Sequence, residues 1–374
     1  MSDAGSSASG DAAPDDSTPP RPPDLTSLGG WPAVLAPLMG GRDLPATYAR
    51  AAMAEILDGA ASPAQLAGFV VALRMKGETV EELGGLLDAM LSAADLVPLS
   101  DDVRAEAVDL VGTGGDRSHS INVSTLASLV VAGAGVPVCK HGNRAASSSC
   151  GAADLLEALG VRLDLSPIEV AGCLAEAGVA FCFAPRFHPA LRHAGPPRRE
   201  LGVPTAFNIL GPMANPARVR RYVVGVADPA VAEKMLGVLR AAGATHAMVV
   251  HGDDGLDELT TTTTSTVWRW DGERVERSTV DPAALGLPAA HAADLRGGAP
   301  SVNRDFALAV LGGESGPHRD IVSLNAAAGL VVGGAVDDLA AGLEVARAVL
   351  DDGRAAAALE RLVTASNAGS TEPG

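Results

Sequence analysis

The sequence predicts an α/β protein. A small all-helical N-terminal domain precedes a large α/β domain whose central, largely parallel sheet is flanked by helices. Three observations predict this. Residues 29–98 carry helix signals that no strand signal interrupts. After residue 101, short β-branched runs alternate with helical stretches. Glycines gather where the candidate strands end, the edge at which open α/β sheets bind ligands.

The elements follow in chain order. Residues 1–28 are mostly Ser, Gly, Ala, Asp and Pro, too poor in large apolar side chains to offset chain entropy, and are expected to form a disordered tail. The helical domain is expected over 29–98. Ser62-Pro63-Ala64-Gln65 offers a cap, a proline at the first helical position and a glutamine three residues on, and Thr79-Val80-Glu81-Glu82 is a second capping box. Between them Leu66, Phe69, Val70 and Leu73 recur at helical spacing until Lys76-Gly77 stops the run. Helices from about 166–200 are expected to join this domain.

The α/β domain is expected over 101–365, with a second disordered tail at 366–374. Its candidate strands are Val108 to Val111, Val136 to Cys139, Val223 to Val226 and Met248 to Val250. Its candidate helices are Leu126 to Val131, Asp154 to Leu159, Val231 to Ala242 and Leu339 to Leu350. The stretch 285–320 mixes Pro, Gly and charge and predicts no element.

Composition narrows the function. A net charge of −17 and 3% aromatic residues disfavour nucleic acid, which needs many Lys/Arg contacts or stacking platforms. A small phosphorylated ligand needs only local positive charge and stays open. The four cysteines form no C-x-x-C pair, against zinc and disulfide scaffolds. No secretory signal and no apolar run of the ~18–20 residues a membrane span requires is present, so the cytoplasm is the expected compartment, without membrane contact.

Four motifs carry chemistry. Gly112-Thr113-Gly114-Gly115-Asp116 follows the run Asp109-Leu110-Val111, and its glycines let backbone N–H groups approach an anion. Asn122, Ser124 and Thr125 then precede an apolar run, placing hydroxyls at a helix N-terminus. Neither a Walker loop nor a dinucleotide fingerprint is present. A tight turn with an ordinary N-cap is the competing reading. Lys140-His141-Gly142-Asn143-Arg144-Ala145-Ala146-Ser147-Ser148 supplies two cations, an amide and two hydroxyls after a candidate strand, enough to hold a phosphate or diphosphate. Asp253, Asp254, Asp257 and Glu258 lie beyond the strand ending near Val250; adjacent carboxylates suit Mg²⁺, although an acidic surface turn has the same composition. Arg198 and Arg199 precede a Gly/Pro-punctuated segment ending in Asn215-Pro216, and either arginine could pair with a carboxylate or form a surface ion pair.

Taken together and in this order, these motifs resemble those of the anthranilate phosphoribosyltransferases, over about residues 29–365. The helical region adds Ala64-Gln65, Phe69 and Leu73 through Thr79, and the C-terminal part adds Asn325-Ala326-Ala327. The resemblance implies a homodimer joined through the helical domain, an active site in the hinge between domains, and phosphoribosyl diphosphate (PRPP) and anthranilate as substrates. It implies that Gly112, Gly115, Asp116, Ser120, Asn122, Val123, Ser124, Thr125, Lys140, His141, Gly142, Asn143, Arg144, Ala145, Ala146, Ser147, Ser148 and Ala152 hold PRPP. Gly112, Asn143 and Arg198 would meet anthranilate, and Lys140, Ser124 and Arg198 would serve catalysis. Two Mg²⁺ ions are implied, one touched by Ser124 and one by Asp257 with Glu258. The chain departs from the pattern at Arg117, where the family usually has glycine, and at Ser120, where threonine is common. At Ala152, where relatives often carry a hydroxyl, only the backbone could act.

Two rivals share the fold. A pyrimidine nucleoside phosphorylase is disfavoured by the His-Gly-Asn-Arg loop after Lys140 and by the missing N-terminal Lys-His-Ser signature. A non-catalytic nucleic-acid-binding relative is disfavoured by the charge of −17 and the Asp257-Glu258 pair.

Overall fold

The computed structural model describes residues 24–145 and 148–368. Most of the expected disordered tails, and Ala146 and Ser147, lie outside the described residues. Both tail boundaries are corrected toward the termini. Leu25–Leu28 is a 3-10 turn capped by Asp24, with Leu25 buried under the helical domain. At the other end the helix Arg354–Asn367 continues past 365, and Ser366 is buried where it accepts the Arg162 N–H.

The helical domain contains Gly30–Met39, Ala46–Leu57, Pro63–Lys76 and Val80–Ser92. Both expected capping boxes form: Ser62 accepts from the Gln65 N–H, and Thr79 from the Glu82 N–H. Of the span 166–200 expected to join this domain, Gly195–Leu201 packs on Pro63–Lys76. Pro167–Ala177 does not. It packs on the third strand and on the C-terminal helix, because Val170, Cys173 and Leu174 form an apolar face that the sheet covers.

The sheet has seven strands: β1 (Val108–Gly112), β2 (Val138–Gly142), β3 (Val179–Phe183), β4 (Arg221–Gly225), β5 (His246–Gly252), β6 (Ser265–Trp270) and β7 (Val275–Val280). Their order is β3-β2-β1-β4-β5-β6-β7, parallel through β5 and antiparallel beyond it. The chain runs outward from β1 to β3 and then returns to place β4 on the other flank of β1. That reversal is a topological switch point, and the C-terminal ends of β1 and β4 form its crevice.

β2 is shifted from its expected place at Val136–Cys139. Pro137 has no N–H to give, and pairing begins at Val138 and runs through Lys140 and His141. Two polar residues that read as loop are thus strand. β3, β6 and β7 were not expected, and the uninformative stretch 285–320 yields the helix Pro300–Leu311 and the start of Pro317–Val332. The helices Val123–Gly133, Pro317–Val332, Leu339–Asp351 and Arg354–Asn367 pack on one another over the sheet. Ala232–Ala241 packs on β5 and reaches Val80–Ser92, so the two domains touch there. Among the described residues no helix is long and apolar enough to cross a membrane.

Candidate active site

Three segments meet at the switch point. The first is the loop after β1. Gly112 pairs with Gly225 across the two strand ends, and the backbone at Asp257 crosses directly above them. A Cβ on Gly225 would stand 1.6 Å from the Asp257 carbonyl, and one on Gly112 2.3 Å from its Oδ2. At Gly225 the obstacle is backbone and only glycine fits, whereas at Gly112 a side chain would displace the Asp257 carboxylate. Asp257 Oδ2 accepts the Gly114 N–H at 2.7 Å. Further along, Ser118 Oγ donates to Asp116 at 2.6 Å, and the Ser120 N–H donates to Ser118 Oγ at 3.2 Å. Arg117 and His119 both take left-handed backbone, with φ of 59° and 54°. The departure from glycine at Arg117 therefore falls on a position whose conformation favours glycine.

The second segment is the N-terminus of Val123–Gly133. Glu258 Oε1 accepts the Ser124 N–H at 3.2 Å, where the helix leaves unpaired donors. Asn122 gives Nδ2 to the Cys150 carbonyl at 3.0 Å, and Val123 and Thr125 are buried on the helix's first turn.

The third segment is β2 and its loop. Lys140 is buried, and its Nζ donates to the Leu110 carbonyl and, at 3.2 Å, to Ser124 Oγ. His141, next along the strand, points to the opposite face. Its ring lies 5.3 Å from that of His188 and hydrogen-bonds the Gly211 carbonyl at 3.2 Å. Burial, with His188 beside it, pushes His141 down to about 3, so the ring is neutral. Arg144 turns to the helix Ala152–Ala158, meeting Asp154 at 2.9 Å and Glu157 at 2.8 Å. Asn143 is exposed, and Ser148 donates to the Cys150 carbonyl at 3.3 Å.

The electrostatics are unusual for a surface turn. Burial, and repulsion from Asp116, hold Asp257 well above the ordinary carboxylate range. Burial and repulsion from Asp257 do the same to Glu258. Burial pushes Lys140 below the usual lysine range, against the pull of Asp109, Glu258 and Asp257. Asp253 and Asp254 behave differently. They accept threonine hydroxyls, Asp254 from Thr260 at 2.9 Å and Asp253 from Thr266 in β6 at 3.0 Å, and so shape the loop without entering the crevice cluster. Adjacent carboxylates suit a hard divalent cation that takes its other ligands from water and phosphate; among the described residues no group of three or more His, Cys, Asp or Glu side chains is placed to hold one unaided.

Arg198 lies on Gly195–Leu201, half-buried, 4.8 Å over the Phe207 ring, with no carboxylate partner among the described residues.

Comparison with known proteins places the site in a family. Residues 32–94 match the helical bundle domain of a glycosyl transferase family, and residues 104–356 match its a/b domain. The anthranilate phosphoribosyltransferase of Salinispora arenicola is 53% identical over 90% of this chain and 97% of its own length. The chain belongs to the anthranilate phosphoribosyltransferases. The relative from Rhodococcus jostii is also 53% identical, over 88% of this chain and 92% of its own. The crystal structure of the Thermus thermophilus family member superposes with a TM-score of 0.84 at 41% identity, covering 89% of this chain and 99% of that one. The Saccharomyces cerevisiae member, solved in complex with PRPP and Mg, gives 0.82 at 26% identity, covering 90% and 98%.

Three residues that reading the sequence passed over support the site. Asp109, fully buried in β1, accepts the His141 N–H at 3.1 Å and Asn215 Nδ2 at 2.8 Å. Asn215 also donates to the Cys139 carbonyl at 2.8 Å, tying β1 to β2. Asn303 donates to Asn122 Oδ1 at 2.8 Å. A charged residue inside an otherwise apolar strand was the available signal for Asp109; Asn303 sat in a stretch with none.

Proposed function

We propose that the crevice at the ends of β1, β2 and β4 binds PRPP and presents it to anthranilate. This is the family's transfer of the 5-phosphoribosyl group in tryptophan biosynthesis. The amine nitrogen forms a bond to C1 of the ribose as the C1–O bond to diphosphate breaks. Diphosphate leaves with the bonding electrons, and the amine proton passes to solvent. The product is N-(5-phosphoribosyl)anthranilate. An arylamine is neutral at pH 7, so no dedicated base is needed.

The observation that carries this reading is the convergence at one helix N-terminus of Lys140 Nζ, Ser124 and the Glu258 carboxylate, beside the Asp257–Gly114 contact. Lys140 and the Gly112–Gly115 and Ser124 backbone N–H groups would neutralise charge on the leaving diphosphate. Asp257 and Glu258 would hold one Mg²⁺ and the Ser124 hydroxyl would face a second. The metal supplies positive charge to the diphosphate oxygens when bound. Asn122, Thr125, Asp116 and Ser120 complete the PRPP contacts. Arg198, without a carboxylate partner among the described residues and desolvated, would take the anthranilate carboxylate bidentately, and Asn143 and Gly112 are the other two residues expected to meet anthranilate. In this arrangement the side chains of His141 and Arg144 are engaged elsewhere and their N–H groups donate to Asp109 and to Asn143 Oδ1, so nothing here supports the PRPP contact expected of either.

The helical domain carries the strongly exposed Met39 (80%) and Met75 (84%), which supports a homodimer through that domain. All four cysteines are free thiols, which supports the cytoplasm.

The test follows anthranilate fluorescence with PRPP and Mg²⁺. A PRPP-dependent decay is expected, and a flat trace from folded protein overturns the reading. In Arg198→Ala the anthranilate KM should rise at least tenfold while that of PRPP moves little. Equal rises in both would remove Arg198 from its role.

A further inference from the structure

Asn303 lies on the helix Pro300–Leu311, 2% exposed, a polar side chain sealed inside the protein. Burying an amide is costly unless each end is paired, and here both ends are. Its Oδ1 accepts the Gly298 N–H at 2.6 Å, and its Nδ2 donates to Asn122 Oδ1 at 2.8 Å. Asn122 uses its own Nδ2 on the Cys150 carbonyl at 3.0 Å. The direction of the Asn122 carboxamide is therefore set from behind, by Asn303.

The same place is strapped by backbone. The Ile121 N–H donates to the Leu295 carbonyl at 3.0 Å, the Gly297 N–H to the His119 carbonyl at 2.8 Å, and Ser120 bridges to Arg296. A Cβ on Gly297 would stand 2.6 Å from Asn303 Oδ1 and 3.0 Å from the Ser120 carbonyl. The strap thus lies directly between the loop and Asn303.

We infer that Asn303 is a positioning residue for PRPP, acting through Asn122 to join the loop after β1 to the loop after β2. The inference rests on the PRPP reading of this crevice. It assigns a role to the stretch 285–320, which the sequence leaves blank.

The experiment compares Asn303→Ala and Asn303→Asp with the wild-type chain in the fluorescence assay, with circular dichroism confirming the fold. In Asn303→Ala the PRPP KM should rise about tenfold, the loss of one well-made buried hydrogen-bond pair, and the anthranilate KM less than twofold. In Asn303→Asp an ionised carboxylate keeps the Gly298 bond but sets oxygen against Asn122 Oδ1. Protonated, it regains a donor. Burial raises a carboxyl above its usual range, so the defect should shrink severalfold between pH 8 and pH 5, measured relative to wild type. The Cys150 thiol beside it, which burial pushes up to about 11, stays neutral throughout that range. Equal rises in both KM values, or a pH-independent Asn303→Asp defect, overturn the inference. If Asn303→Ala fails to fold, the Asn303→Asp profile decides. Wild-type protein without turnover would instead overturn the PRPP reading. Amide exchange at Ile121 would then decide the clasp: faster exchange in Asn303→Asp sustains it, and unchanged exchange removes it.

Discussion

Two buried lysines, one in each domain, show how differently a protein treats the same charge. Lys76 ends the helix Pro63–Lys76 and is met by Asp43 at 2.7 Å and Glu82 at 2.9 Å. Burial alone would lower its pKa, but the hydrogen bonds it donates to Asp43 and Glu82 carry it above the usual value. Glu82 is in turn saturated, accepting the Leu44 and Thr79 N–H groups, each at 2.8 Å. Lys140 has carboxylates within electrostatic reach, yet its hydrogen bonds go to the Leu110 carbonyl and the Ser124 hydroxyl. Its pKa falls and those of Asp257 and Glu258 rise. The first node is complete in itself. The second holds unspent charge of both signs, the condition of a site awaiting a ligand.

The contrast can be broken from either side. Glu82→Ala should destabilise the chain by about 2–3 kcal/mol, since it strands the Leu44 and Thr79 backbone donors and leaves Lys76 only Asp43 and the Gly77 carbonyl. Urea unfolding measures this, and kcat per folded molecule should hold. Lys140→Ala should leave the urea midpoint nearly in place and cut kcat/KM by about 10²–10³, the usual cost of one charge-stabilising contact. A reversal of these two outcomes would end the distinction.

A third test sharpens it. Burial raises Asp109 from 3.8 to about 6 against the pull of Lys140, so the folded chain binds this proton more tightly than the unfolded chain. Its contribution to stability is complete below pH 4 and is lost as pH rises through 6. The displacement is worth about 3 kcal/mol. That pH-dependent part should vanish in Asp109→Asn, whatever its absolute stability. The smallest effect belongs to Arg117, whose left-handed backbone disfavours any side chain. Arg117→Gly should raise stability by about 1 kcal/mol. A lower thermal midpoint would show that the arginine makes contacts worth more than its strain.

The helical domain was legible because its signals are local. Ser62 and Thr79 announce their helices within four residues, and the boxes form as read. The crevice was legible where glycine and hydroxyl residues cluster along the chain. Legibility failed wherever a residue's role is fixed by distant segments. Lys140 and His141 read as loop because both are polar, whereas β3 and the Asp109–Asn215 pair make them strand. β6 and β7 were hidden because β7 is exposed until Val280 and shows no buried alternation. Arg144 read as a phosphate ligand by its place in a basic loop, and the structure gives its guanidinium to Asp154 and Glu157.

The paired glycines at the ends of β1 and β4 have a consequence for how this chain can vary. Any other residue in place of a glycine brings a Cβ, and at Gly112 or Gly225 that atom would fall on Asp257. No mild first step away from Gly225 exists, and a step away from Gly112 moves the Asp257 carboxylate itself. Nor does a second change at the partner glycine relieve the first, since both press on the same residue from below. The height of the Asp257 carboxylate above the sheet is therefore walled off in sequence space.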